Sequence, residues 1–389
     1  MTSSATRRTP LHDVAIVGAY NTRQARRLEI PETDVLIDAM RGALDSAGMT
    51  FADVDGLNVS SSVRRYNPRE AVALLGGRPC WTGTDIGIPG LVEAALAVAA
   101  GLCETVLIAT AQAAEYTERS KTAPWTRPSN EFVECWGLYT AAEFALMARR
   151  HMHLYGTTPE SFAEVAATIR NHGACHPQAV FHGRHVTPQD VLDSRMVADP
   201  FHLLDCAITS EGGAGLVITT RDRARDLDCR PIYILGAGLE RQGMAYVGPP
   251  VWDQAGHVGA DAARRSYQQA GLGPADIDVL ELYDPFSFEI IRQLECFGFC
   301  EEGEGGDFVM DGRIGIDGQC PIVTNGGVMS FSHGGIVQLL QKPISAVQQL
   351  RGEYPDEITV DGARTAITSN GGSGALFCDV MILATEAAA

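Results

Sequence analysis

The sequence predicts an α/β protein made of two similar halves, in which strands and helices alternate and glycines mark the joints. Three observations carry this. The segments Val14-Ala15-Ile16-Val17-Gly18-Ala19 and Tyr233-Ile234-Leu235-Gly236-Ala237-Gly238 are apolar strands of one shape. The pattern Ala-Asp-(Val/Ile)-Asp-x-Leu occurs at residues 52–57 and again at 275–280. Ser210-Glu211-Gly212-Gly213-Ala214-Gly215 parallels Ser369-Asn370-Gly371-Gly372-Ser373-Gly374. The halves run over residues 1–225 and 226–389, and the first carries an insertion at about 112–200.

The elements follow in order. Residues 1–10 are polar, hold Arg7 and Arg8 and lack an apolar signal core, so a loose tail on a cytoplasmic protein is expected. The first strand leads to an amphipathic helix at 35–47, stopped by Gly48. An acidic turn at Asp53 and Asp55 opens the next buried strand. In the insertion, residues 141–155 and 159–171 read as helices, and Trp125, Trp136 and Tyr139 are candidates to line a lid. Each glycine-rich Ser210 and Ser369 segment is expected to be a bend running into a terminal strand. In the second half a helix ends at Ala270-Gly271, and a strand follows at 279–282.

Composition narrows the function. The chain has 389 residues, 45% hydrophobic and 20% charged, which suits two domains or a duplicated one. No apolar run is long enough to span a membrane. The net charge is −18, which argues against a nucleic-acid partner. The ten cysteines form no compact disulfide framework, and Cys296 and Cys300 read as buried thiols. His172, Cys175, His176, His182 and His185 cluster without the spacing of a closed metal site, so no metal is expected. Gly236-x-Gly238 resembles a dinucleotide turn, but its third glycine is misplaced and no such cofactor is expected.

The stretch that concentrates chemistry is Asn325-Gly326-Gly327-Val328-Met329-Ser330-Phe331-Ser332-His333-Gly334-Gly335. Two glycines admit the backbone to a tight site. The helix at 336–350 follows at once, apolar at Ile336, Val337, Leu339, Leu340, Ile344, Val347 and Leu350. His333 therefore stands near a helix N-terminus, where anionic groups are welcome, and suits proton transfer. A turn histidine beside a buried helix is the simpler alternative. Tyr283 is open to the same doubt, as a buried strand-end tyrosine with a satisfied hydroxyl.

Two glycine-rich βα halves closed by Ser210-Glu211-Gly212-Gly213-Ala214 resemble the thiolase superfamily along essentially the whole chain. The nearest branch is similar to the sterol-carrier, or lipid-transfer, thiolases. Tyr283-Asp284-Pro285-Phe286-Ser287 stands where that branch has a His-Asp-Cys-Phe-Ser-like sequence, and Ser332-His333-Gly334 where thiolases have Gly-His-Pro. The resemblance implies two βαβαβαββ halves in an α/β/α/β/α layering. It places Thr84 where thiolases carry their nucleophilic cysteine, at the head of a helix reaching Gly101. Thr368-Ser369-Asn370-Gly371 replaces the C-terminal cysteine. A threonine hydroxyl is a far poorer nucleophile than a thiolate. Cys80, four residues earlier, serves as a displaced nucleophile only if the loop is rebuilt.

A thiolase-like chain with Tyr283 and no such cysteine resembles the aldolases that cleave side chains of steroid acyl-CoA thioesters beside a small zinc-ribbon/OB-fold partner. That group implies a catalytic role for Tyr283. It has a second tyrosine at the place of His333, so the match is incomplete there. The resemblance implies a homodimer, an acyl-CoA substrate and no further cofactor. The expected reaction is retro-aldol cleavage of a β-hydroxyacyl-CoA, with Tyr283 and His333 sharing the acid and base roles. Asn325, or the Gly371-Gly372 backbone, is expected to hold the thioester oxygen. Thr84 and Asp85 are expected to face the substrate. Two alternatives stay open: a thiolase or acyltransferase using Cys80, and a non-catalytic acyl-CoA- or lipid-binding subunit.

Overall fold

A computed structural model describes residues 9–61, 79–113, 140–243, 251–372 and 376–386. Its strands are β1 (Val14–Asn21), β2 (Gly56–Ser61), β3 (Trp81–Thr82), β4 (Thr105–Gln112), β5 (Met196–Ala198), β6 (Phe201–His202), β7 (Gly212–Thr220), β8 (Ile232–Arg241), β9 (Val279–Glu281), β10 (Thr365–Gly371) and β11 (Phe377–Ala384). The longer helices are α1 (Glu32–Ser46), α2 (Gly87–Ala99), α3 (Thr140–Tyr155), α4 (Pro159–Cys175), α5 (Ala260–Ala270), α6 (Ser287–Cys296) and α7 (Gln338–Arg351).

Nine strands join in the order β3-β2-β4-β7-β1-β8-β11-β10-β9. Read outward from the β1–β8 contact, the two runs match: β1-β7-β4-β2 on one side and β8-β11-β10-β9 on the other. The pairing sense matches too. β2–β4 and β9–β10 are parallel, and the remaining neighbours within each run are antiparallel. We read the two runs as copies of one βα unit. Among the described residues, the strand pairing between them consists of Ala15–Tyr233 and Ile16–Ile232.

Burial explains the layers. β4 and β7 are buried at every position, except that β7 ends half-buried at Thr220. α2 is apolar nearly all round, as an enclosed helix must be, and buries Ile88, Leu91, Ala94, Ala95 and Val98. It packs against α7 and against strands of both runs, so these two helices form the middle layer. α1 covers β1, β4 and β7, while α5 covers β8 and β11. Gly236-x-Gly238 takes part in that outer packing. A Cβ at Gly238 would lie 2.0 Å from the Ala262 carbonyl oxygen, and one at Gly236 would lie 2.3 Å from that of Ser266. The glycines let α5 sit directly on the sheet, which accounts for the dinucleotide-like pattern.

One expectation needs correction. Gly212 and Gly213 are not in a bend: they pair with Gln112 and Ala111 and already belong to β7. In the second run the strand ends at Gly371, which pairs with Cys378, and the turn begins beyond it. Trp125, Trp136 and Tyr139 lie outside the described residues.

The described part of the insertion holds α3, α4, a short helix at Pro188–Asp193 and the β5–β6 hairpin. It packs on α6 and on the turn before His333. Phe144 of α3 meets Phe286 at 5.0 Å between ring centroids. Beside it Glu143 is buried, and among the described residues its Oε2 has no hydrogen-bond partner. Burial pushes its carboxyl up to about 7, so the folded state keeps a proton that the unfolded chain has released. Stability should therefore fall as pH rises from about 4.5 to 7. Glu143→Gln should remove that dependence and be more stable by about 2 kcal/mol above pH 7. Urea titrations at pH 5 and pH 8 measure it.

Candidate functional site

His333 is held by a short loop, residues 206–210, that runs between the segment after β9 and the turn that ends at His333. The backbone N–H of His333 donates to Ser210 Oγ at 2.7 Å, and the Ser210 N–H donates to the His333 carbonyl at 3.2 Å. The ring Nδ1 lies 2.9 Å from the Ile208 carbonyl oxygen. A carbonyl only accepts, so Nδ1 carries the proton and Nε2 keeps its lone pair. Among the described residues Nε2 has no hydrogen-bond partner. Burial lowers the proton affinity of the ring. The Ile208 carbonyl and the Asp284 charge act against that, and Lys342 acts with it. The net shift is downward, so His333 is a neutral imidazole at physiological pH with a proton-accepting nitrogen available.

The same loop fastens the other segment. Ala207 N–H donates to the Pro285 carbonyl at 2.9 Å, Ile208 N–H donates to that of Val328 at 3.0 Å, and Cys206 bridges to Phe286. Tyr283 follows β9 and is buried. Its N–H donates to Ser369 Oγ at 2.9 Å, and its carbonyl accepts from Gln293 Nε2 at 2.6 Å. Ser369 in turn donates to Gln293 Oε1 at 2.5 Å. The Tyr283 ring lies over Gly371, where a Cβ would stand 2.5 Å from ring Cδ1. Gly371 thus seats the tyrosine, a role the sequence did not announce. Gly372 lies similarly close to the Phe377 ring.

Asp284 holds the turn that leads to His333. It is fully buried, accepts from the N–H groups of Val328 at 3.1 Å and Met329 at 3.2 Å, and pairs with the buried Lys342 ammonium. From the insertion, Arg170 donates to the carbonyls of Met329 at 2.9 Å, Leu204 at 2.8 Å and Cys206 at 2.9 Å. α4 comes close enough for this because Gly173 faces Gly326. A Cβ on Gly326, whose φ is +93°, would lie 2.3 Å from the Gly173 Cα. Val323, just upstream, sits at φ 45°, a strained conformation for a β-branched residue. Burial pushes His172 and His176 down to about 4, and His176 packs on Phe331 at 4.9 Å.

Asn325 is used inside its own turn. Its Oδ1 accepts from the Gly327 N–H at 2.8 Å, and its side chain also hydrogen-bonds Tyr354. Thr84 and Asp85 are exposed at the head of α2. The Thr84 hydroxyl donates to Glu93 Oε1 at 3.3 Å, and the N–H groups of Thr84 and Asp85 donate to Glu93 Oε2 at 2.9 and 3.1 Å. That loop is tied to the second run by Asn370, whose Oδ1 accepts the Ile88 N–H at 2.8 Å. Asn370 directly precedes Gly371, so the Thr84 position and the Tyr283 seat adjoin through one residue.

Cys80 is placed elsewhere. Its thiol donates to the carbonyls of Asp55 and Leu102, each at 3.2 Å. Leu102 lies past the C-terminal end of α2, while Thr84 stands before its N-terminus. A helix of 13 residues is about 20 Å long, so the thiol is at the wrong end for chemistry at the helix head. The other described cysteines are not activated. Burial pushes Cys103, Cys206, Cys296 and Cys300 up to about 12, and raises Cys175, Cys229, Cys320 and Cys378. Such thiols stay protonated and unreactive. Among the described residues no group of three or more His, Cys, Asp or Glu side chains is arranged to hold a metal ion. No helix among them is long and apolar enough to cross a membrane.

The two joined βα runs agree with comparisons to known proteins. The thiolase C-terminal domain-like family matches residues 253–385. The chain is 34% identical over 366 residues to 17-hydroxy-3-oxo-4-pregnene-20-carboxyl-CoA lyase of Mycobacterium tuberculosis, covering 87% of this chain and 91% of the relative. It is 31% identical to acetyl-CoA acetyltransferase of Methanothermobacter thermautotrophicus, over 94% and 97% of the two chains. The solved Ltp2-ChsH2(DUF35) aldolase superposes with a TM-score of 0.79 at 28% identity, over 96% of this chain and 98% of that one. The chain belongs to the thiolase superfamily. Within it, the branch expected from Tyr283-Asp284-Pro285-Phe286 is the one these relatives represent.

Proposed function

We propose that the protein is an acyl-CoA aldolase, cleaving the Cα–Cβ bond of a β-hydroxyacyl-CoA without a covalent enzyme intermediate. The observation that carries this is the His333 ring, fixed through Nδ1 with Nε2 left as a base and, among the described residues, with no activated thiol beside it. Nε2 takes the proton of the β-hydroxyl. The Cα–Cβ electron pair moves to Cα, giving the thioester enolate, and Cβ becomes the carbonyl carbon of the released ketone or aldehyde. Tyr283, or the protonated His333, then returns a proton to Cα. Atoms and charges balance with proton transfers alone, and the step calls on no cofactor beyond the CoA of the substrate. The backbone around Gly371 and Gly372, and the loop at Thr84 and Asp85, are the groups on hand for the thioester oxygen and the acyl-CoA.

The steroid carboxyl-CoA named in the tuberculosis lyase supports a bulky polycyclic acyl group as the substrate class. The ChsH2(DUF35) component of the solved aldolase supports a partner of the DUF35 kind, and the resemblance implies the small zinc-ribbon/OB-fold type. A homodimer completes the reading. The test is to incubate the protein, with and without such a partner, with β-hydroxyacyl-CoA and β-ketoacyl-CoA panels, and to quantify the shortened acyl-CoA and the carbonyl product.

A second reading, acyl transfer, rests on the acetyltransferase relative. The two separate cleanly. In the aldolase reading Cys80→Ser keeps wild-type turnover, free CoA is not consumed, and intact-mass spectrometry after acyl-CoA exposure finds no acylated cysteine. An acyl adduct on Cys80 would establish transfer instead.

A further inference from the structure

Positive charge in this chain is carried almost wholly by arginine. It has only two lysines, Lys121 and Lys342. Lys342 is spent in the interior, 1% exposed, on the helix that follows His333. Taking an ammonium and a carboxylate out of water costs several kcal/mol each, and a buried pair adds little net stability over apolar residues. Net stability therefore does not by itself account for the Lys342–Asp284 pair.

Their contacts join the segments of the reaction. Asp284 adjoins Tyr283 in the chain. Its carboxylate holds the Val328 and Met329 N–H groups of the turn entering His333, and Lys342 rises from α7, which leaves it. On the reading that His333 is the base, we propose that the buried Asp284–Lys342 pair is a positioning device for the reaction, locking Tyr283 and His333 into one frame and setting His333 between two opposed charges. The Asp284 carboxylate, on the segment after β9, favours the charged ring, and the Lys342 ammonium, on α7, opposes it. On the third side, the loop at 206–210 presents Ser210 and the Ile208 carbonyl, which are uncharged. Further charges stand one step back. Arg170 on α4 interacts with Asp284 and Asp205, and Glu281 on β9 interacts with Lys342.

The device has a signature that packing alone lacks. Asp284 favours the imidazolium and Lys342 opposes it, with Asp284 the stronger of the two. Lys342→Met should move the His333 titration midpoint up, and Asp284→Asn should move it down. The double variant should fall between the single ones and below wild type, while Lys342→Arg should keep the wild-type midpoint. Two readouts are needed. One is NMR titration of histidine-labelled protein, assigned with His333→Gln. The other is the acid limb of the kcat/KM profile for the β-hydroxyacyl-CoA that turns over. Opposite shifts in both readouts support the proposal. Shifts of one sign, or none, overturn it. Should a single variant not fold, the neutral double variant carries the test, and a midpoint at or above wild type counts against the pair. Should the imidazole midpoints shift as stated while the rate profile stays fixed, the charge-setting role stands and His333 is not the base.

Discussion

His333→Ala is expected to slow C–C cleavage about 10²- to 10⁴-fold, the usual contribution of a positioned general base. The loss should fall on kcat and kcat/KM together, because a base contributes as the proton moves rather than when substrate binds. The fold should survive. The side chain makes one hydrogen bond, to the Ile208 carbonyl, and the backbone pairing with Ser210 does not involve the ring. Tyr283→Phe is the companion variant. It keeps the ring that rests on Gly371 and removes only the hydroxyl. If cleavage by both variants matched wild type, with unchanged thermal unfolding, neither residue would be catalytic. The pH profile adds a sign. His333 is lowered by burial, so it is the proton-accepting neutral form at neutral pH, and activity should fall on the acid side as the ring takes a proton.

Arg292→Met is expected to produce the largest loss of stability, about 3–5 kcal/mol. Arg292 is 1% exposed in the middle of α6. It donates through Nε to Glu289 Oε2 at 2.8 Å and through one terminal nitrogen to the other carboxylate oxygen. Its second terminal nitrogen meets the Val258 carbonyl at 2.5 Å. Methionine fills similar volume but leaves Glu289 buried and uncompensated. The double variant Arg292→Met/Glu289→Gln should recover a large part of the loss. Chemical denaturation of the three proteins measures this. Near-equal stability of Arg292→Met and wild type would mean the pair is solvated.

Much of the architecture was legible in the chain because its cues are local. The recurring Ala-Asp-(Val/Ile)-Asp-x-Leu segments open β2 and β9, which stand at matching places in the strand order. The histidine at 333 could be placed beside a helix from neighbouring residues alone, and the threonine at 84 through the thiolase resemblance. What stayed hidden depends on distance through the chain. Asp284 and Lys342 lie 58 residues apart and meet only in the folded middle layer. Ser210 had a place in the repeat but no visible link to His333, and Arg170 lay in an insertion without a repeat to match. Cys80 misled for the opposite reason. It is near Thr84 in sequence, but the strand β3 between them is extended at about 3.3 Å per residue, and carries the thiol toward the other end of α2. Gly371 was expected to offer its backbone to the thioester oxygen; its visible service is the missing side chain that admits the tyrosine ring.

The Asn370 contact with Ile88 has a consequence for how the enzyme comes into being. The amide that secures the head of α2 comes from Asn370, 282 residues downstream, so it arrives only when β10 has been synthesised and docked. A ribosome that stalls before that point leaves the early portion with an unanchored helix tip and no tyrosine seat. On the reading that Tyr283 takes part in turnover, a product that stops before β10 would be inert rather than a poorly controlled catalyst.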